Sequence, residues 1–114
     1  METYLGEADE QVIVIVADGG LNSGTAEQIE KVVQQAVDCG MKGVIVDCGK
    51  LEIISSTGLG RLLMLHKRIK AQGGEVKLAG LRGMLVQVLQ ISGLTKVFEI
   101  YPDVSQARLA FRPK

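Results

Sequence analysis

Two periods alternate along this chain. Val12-Ile13-Val14-Ile15-Val16-Ala17 is continuous and β-branched, the pattern of a strand covered on both faces. Asp18-Gly19-Gly20 then reads as a turn. The spacing changes to helical, with Ile29, Val32, Val33 and Ala36 on one face of a helix reaching about Asp38. Asn22-Ser23-Gly24-Thr25 supplies candidate caps, Thr25 with Gln28 matches a capping box, and Gly40 is the expected C-terminal stop. Gly43-Val44-Ile45-Val46-Asp47-Cys48 is a second buried strand, from which Gly49 to Glu52 lead on. Ile53-Ile54 runs into three hydroxyls, Ser55, Ser56 and Thr57. A helix predicted from Thr57 to near Gln72 packs Leu59, Leu62, Leu63 and Ile69 inward, and Gly73-Gly74 stops it.

The pattern then repeats in shorter pieces. Glu75-Val76-Lys77-Leu78-Ala79 alternates, as a core strand exposed on one face would. A helix from about Arg82 to Ser92 buries Leu85, Val88 and Leu89, and Gly93 ends it. Val97-Phe98-Glu99-Ile100 is a short strand, Tyr101-Pro102-Asp103 a turn, and a last helix runs through Ala107 to about Phe111. The polar N-terminus holds a short edge strand around Tyr4-Leu5. Strands alternating with helices predict an α/β fold, a mostly parallel central sheet of four to five strands with about four helices. At 114 residues the chain is one domain, 1–114.

Composition narrows the function. Aromatic residues make up 4% and Trp is absent, so the core is aliphatic. Thirteen basic residues balance thirteen acidic ones, so no overall field draws in nucleic acid or an anionic membrane. No apolar run approaches the ~18 residues of a membrane span, and no signal-peptide pattern opens the chain. A cytoplasmic location with Cys39 and Cys48 reduced is expected.

The hydroxyl cluster carries the candidate chemistry. At a helix start the first amides lack intrahelical partners and the dipole is positive, so a phosphate is well tolerated. Ser and Thr are also ordinary caps, but one cap needs one hydroxyl. Gly58-Leu59-Gly60 lacks the third glycine of a dinucleotide fingerprint, since Leu63 stands in its place, and no phosphate-loop Gly-Lys-Ser/Thr occurs. A nucleophile elbow at Ser56 would need glycine where Ile54 stands. The sole histidine, His66, lies ten residues along the same helix, about 15 Å away, beyond any Ser-His pairing. It is better read as a packing histidine. One histidine and two cysteines in separate elements make no zinc site. No catalytic residue, cofactor or metal is expected. What remains is a serine offered to another protein's active site, where a phosphoryl group adds about −1.5 to −2 charge.

The stretch Val44 to Gly60 resembles the core motif of the STAS domain of bacterial anti-sigma factor antagonists. Asp47 takes the strand-end Asp, and Ser56-Thr57-Gly58-Leu59-Gly60 matches the signature without a gap. Gly20-Leu21-Asn22, Ala71-Gln72-Gly73-Gly74-Glu75, Val88 to Leu94 and Lys96-Val97-Phe98 continue the likeness, over about residues 10–110. The resemblance implies a non-enzymatic domain that binds a cytoplasmic anti-sigma factor with serine kinase activity. Phosphorylation at Ser56 would release that partner, and a serine phosphatase would reset the switch. It also implies partner-binding roles for Asn22, Ser55, Thr57, Gly58, Leu59 and Gly60. Asn22 and Ser55 stand where the family usually has Asp, while Met84 and Val86 replace commonly charged residues. The alternative is an unphosphorylated STAS scaffold or sensor module, docking constitutively or self-associating weakly; a nucleotide-binding STAS domain is a third class.

Overall fold

In the computed structural model, which describes residues 2–8, 12–91, 93 and 98–111, the strands lie side by side in chain order. The edge strand β1 (Glu2–Ala8) is antiparallel to β2 (Val12–Leu21). From β2 the sheet is parallel, through β3 (Gly43–Ile54), β4 (Glu75–Ala79) and β5 (Glu99–Tyr101). Helices α1 (Ser23–Asp38), α2 (Ser56–Ala71) and α3 (Met84–Ile91) link the parallel strands, and α4 (Val104–Phe111) follows β5. This is the expected single α/β domain.

Strand alternation divides the core between two faces. Ile13, Ile15, Ala17, Val44, Val46, Val76 and Leu78 pack with Ile29 and Val33 of α1, Leu59, Leu62, Leu65 and Ile69 of α2, and Leu89 of α3. Val12, Val14, Ile45 and Ala79 on the opposite face meet Ala107, Tyr101, Val104 and Phe111. Val32, Ala36 and Leu85 are only half-buried. His66 is buried against Phe98, ring centroids 4.8 Å apart, and so is a packing residue as expected. Both thiols are free, and burial, helped by the Asp47 charge, pushes Cys48 up to about 12.

The structure corrects several local expectations. Asp18-Gly19-Gly20 is no turn: β2 continues through it, with register shifts on either side of Gly19, whose φ is +87°. The glycine thus serves bulges rather than a reversal. Likewise Gly49 to Glu52 belong to β3, which pairs with β2 as far as Leu21↔Ile54 but with β4 only to Asp47↔Ala79. Gly40, at φ +94°, does close α1, with the Gly40 and Met41 amides donating to the Val37 and Ala36 carbonyls. The last strand is Glu99–Tyr101; Val97, Leu94, Lys96, Ser92 and the Val88 side chain lie outside the described residues.

β4 is not half-exposed. Lys77 is buried at 2% exposure, because α4 covers the face that alternation had assigned to solvent. Its ammonium pairs with Glu75 at 2.7 Å and with Glu99, and lies 4.7 Å from the centre of the Phe111 ring. Burial pushes the Lys77 pKa down, but the hydrogen bonds to Glu75 and Glu99 outweigh it and the net shift is upward. Glu99, which also accepts from Tyr101 Oη at 2.7 Å, is held below the usual carboxylate range, first by Lys77 and then by Tyr101.

The signs set a window. A lowered carboxylate pKa contributes stability that is present above its unfolded value and lost on acidification. A raised lysine pKa contributes stability that is complete below the unfolded lysine value and lost at high pH. Glu99→Gln should therefore melt below wild type at pH 7, with the gap closing as pH drops through and below ~4.3, the free glutamate value. Thermal melts of both proteins from pH 3 to 8 measure this; a gap independent of pH would contradict the assignment.

Candidate functional site

The extended β2–β3 pairing delivers two helix starts to one place. β2 ends at Leu21 and β3 at Ile54, and these residues are register partners. The next residue in each case is a cap: Asn22 for α1 and Ser55 for α2. The Ser55 N–H donates to the Leu21 carbonyl at 2.8 Å, tying the caps together.

Each cap closes its helix through its side chain. Asn22 Oδ1 accepts from the Thr25 N–H at 3.0 Å, and Thr25 Oγ1 accepts from the Asn22 N–H at 2.8 Å. The capping box is therefore Asn22 with Thr25, not Thr25 with Gln28. The Thr25 methyl and hydroxyl turn inward, and Oγ1 donates to the Gly20 carbonyl at 3.1 Å. In α2, Ser55 Oγ accepts from the Gly58 N–H at 3.0 Å, and the Leu59 N–H starts the helical ladder on the Ser55 carbonyl. The helix begins at Ser56, one residue earlier than expected. Asn and Ser are both strong caps, so each helix start is satisfied by the residue it has.

With Ser55 committed to capping, Ser56 and Thr57 are exposed on the first turn of α2. The dipole of α2 is positive at this end, where first-turn amides lack intrahelical partners, and no acidic side chain stands in that turn. Ser56, Gly60 and the 71%-exposed Met64 recur every four residues along the outer surface. Ile53, at 67% exposure, borders the same end.

The remaining signature residues have other duties. Gly58 is buried, and a Cβ there would stand 2.5 Å from the Leu21 carbonyl oxygen and 2.9 Å from Asn22 Cα. Only glycine lets the first turn of α2 approach the β2–α1 loop this closely. Leu59 packs into the core. Gly58 and Leu59 thus shape the exposed first turn of α2 from beneath. Gly60 is different: a Cβ there would meet nothing within 4 Å. Met84 is exposed and Val86 half-buried, both on α3.

Sequence reasoning missed Arg61. Its Nε and Nη2 hold Glu30 of α1 at 3.1 and 2.9 Å, and Nη1 donates to the Ser23 carbonyl and hydroxyl at 3.3 and 3.2 Å. These partners lie 31 and 38 residues away in sequence, and no local pattern announces them. Among the described residues no group of three His, Cys, Asp or Glu side chains could hold a metal, and no helix is long and apolar enough to cross a membrane.

Comparison with known proteins places this geometry. The STAS domain family profile matches residues 6–107. BtrV of Bordetella bronchiseptica, named as a candidate anti-sigma factor antagonist, is 33% identical over 101 residues, covering 89% of this chain and 87% of BtrV. An anti-sigma F factor antagonist of Paenibacillus polymyxa is 25% identical over 95 residues, covering 81% and 80%. Among solved structures, the Bacillus antagonist SpoIIAA superposes in its unphosphorylated form with a TM-score of 0.78 at 22% identity, covering 99% of this chain and 100% of that one. Its phosphorylated form superposes with a TM-score of 0.74 at 23% identity, covering 97% and 100%. At these identities SpoIIAA establishes a shared fold.

The two glycines give opposite expectations. Gly58→Ala should destabilise the domain by about 1–3 kcal/mol, the range for overpacking a fixed site. Gly60→Ala, in an open helical position, should be neutral or stabilising by up to ~1 kcal/mol. Urea denaturation of both variants decides this; equal losses would refute the close approach at Gly58.

Proposed function

The chain belongs to the STAS domain family, and from that footing we propose that it is an anti-sigma factor antagonist switched by phosphorylation at Ser56. Its partner is an anti-sigma factor that is also a serine kinase, and a serine phosphatase restores the binding form. The domain supplies the surface and the acceptor hydroxyl, while catalysis belongs to the partners. Asn22, Ser55, Thr57 and Gly60 frame that surface, in a cytoplasmic setting.

The observation that carries this reading is the division of labour at the start of α2. Ser55 caps the helix, so the exposed Ser56 hydroxyl is not needed by the fold. A phosphoryl group there meets the positive end of the dipole at a helix start with no acidic side chain, so the isolated domain accepts it readily. In a docked complex the same group would be desolvated without a matching cation, which is costly. The phosphate therefore separates the complex and leaves the domain folded. The names of BtrV, the Paenibacillus antagonist and SpoIIAA support the partner class, and a phosphorylated SpoIIAA supports the form of regulation.

Incubation with the cognate anti-sigma kinase and ATP should label wild type and leave Ser56→Ala unlabelled. Ser56→Glu should bind the non-hydrolysing anti-sigma factor at least about tenfold more weakly, a change of ~1.4 kcal/mol, with its melting temperature unchanged. Equal labelling of wild type and Ser56→Ala would overturn the acceptor assignment, and undiminished binding by Ser56→Glu would place the interface elsewhere and favour the constitutive scaffold.

A further inference from the structure

We infer that Arg61 is a positioning residue for the partner-binding surface, holding the first turn of α1 at Ser23 in place against the start of α2. This rests on the antagonist reading of that surface and adds a residue outside its signature positions.

Three ties join the two helix starts, and they constrain different directions. The Ser55 N–H to Leu21 carbonyl bond fixes the chain entering α2. The Gly58 contact sets how closely the first turn approaches the loop. Neither holds Ser23, which lies beyond the cap on the first turn of α1 and is exposed. Arg61 does. One nitrogen, Nη1, holds both the carbonyl and the hydroxyl of Ser23. The rest of the fork is fixed by Glu30, seven residues and about two turns further along α1. A planar guanidinium held at two oxygens by Glu30 has little freedom left, so its third nitrogen reaches a fixed point. The helix faces below are aliphatic, with Ala26, Ile29 and Val33 on α1 against Leu62 and Leu65 on α2. Apolar packing is non-directional and tolerates small slips. Arg61 supplies the directional element.

The pair is half-exposed, at 35% for Arg61 and 21% for Glu30, so its loss leaves no deeply buried charge. Arg61→Lys keeps the charge but cannot reproduce the fork and the reach to Ser23 together. It should fold normally yet hold the first turn of α1 poorly. The surface would then present Ser23 in several positions relative to Ser56, and a partner reading both would bind less well.

The test is a double-mutant cycle on binding to the anti-sigma factor, with Arg61→Lys, Ser23→Ala and the double variant. Ser23→Ala leaves the Asn22 cap intact and removes the hydroxyl that Arg61 holds. Arg61→Lys should weaken binding about tenfold at unchanged melting temperature, and much less than tenfold in the Ser23→Ala background, because it acts through Ser23. Additive losses, or wild-type binding by Arg61→Lys, would overturn the inference. Wild type failing to bind the anti-sigma factor at all, by contrast, would overturn the antagonist reading on which it rests.

Discussion

The pairing of β2 with β3 beyond the end of β4 is the constraint on which the site depends. Within the sheet core three strands share a register, but only β2 and β3 continue, to Leu21 and Ile54. Parallel strands deliver their following helices side by side at the same end. The Ser55 to Leu21 bond and the Gly58 contact then bring the starts of α1 and α2 into one surface. A side chain at Gly58 would force them apart and separate Asn22 from Ser56. The glycine of the signature is thus a spacing requirement, and the serine before it inherits its exposure from that spacing.

The same end of the molecule shows how a serine hydroxyl can be exposed without weakening the fold. Ser55 satisfies the helix, Leu59 anchors it in the core, and Ser56 between them does neither. On the opposite face, α4 is secured by Lys77, Glu75, Glu99 and the Tyr101 and Phe111 rings. That network lies across the sheet from the helix pair, so a charge added at Ser56 acts on the surface while the sheet stays clamped.

Periodicity made most of this fold legible. The β-branched runs at Val12–Ala17 and Val44–Val46 needed no partner to be read, because a strand covered on both faces has a local composition. β4 misled for a physical reason: Lys77 is polar in sequence, but its burial depends on α4 and its neutralisation on Glu99, both far along the chain. Gly19 misled because a glycine with positive φ serves a bulge as well as a turn. At the site, the hydroxyl cluster was visible but its roles were not. That Ser55 and not Ser56 caps α2 follows from where the helix starts, and that depends on Leu21. Arg61 was invisible, since Glu30 and Ser23 are neighbours only after α1 and α2 have packed.

The most direct test of the paired-helix surface is amide hydrogen exchange of the full chain, free and bound to the proposed partner, an anti-sigma factor. The account predicts that binding slows exchange in two separate stretches, around Asn22–Thr25 and around Ser56–Gly60, and leaves α4 unchanged. Protection confined to α4 or to the β1 edge, with both helix starts unaffected, would contradict it.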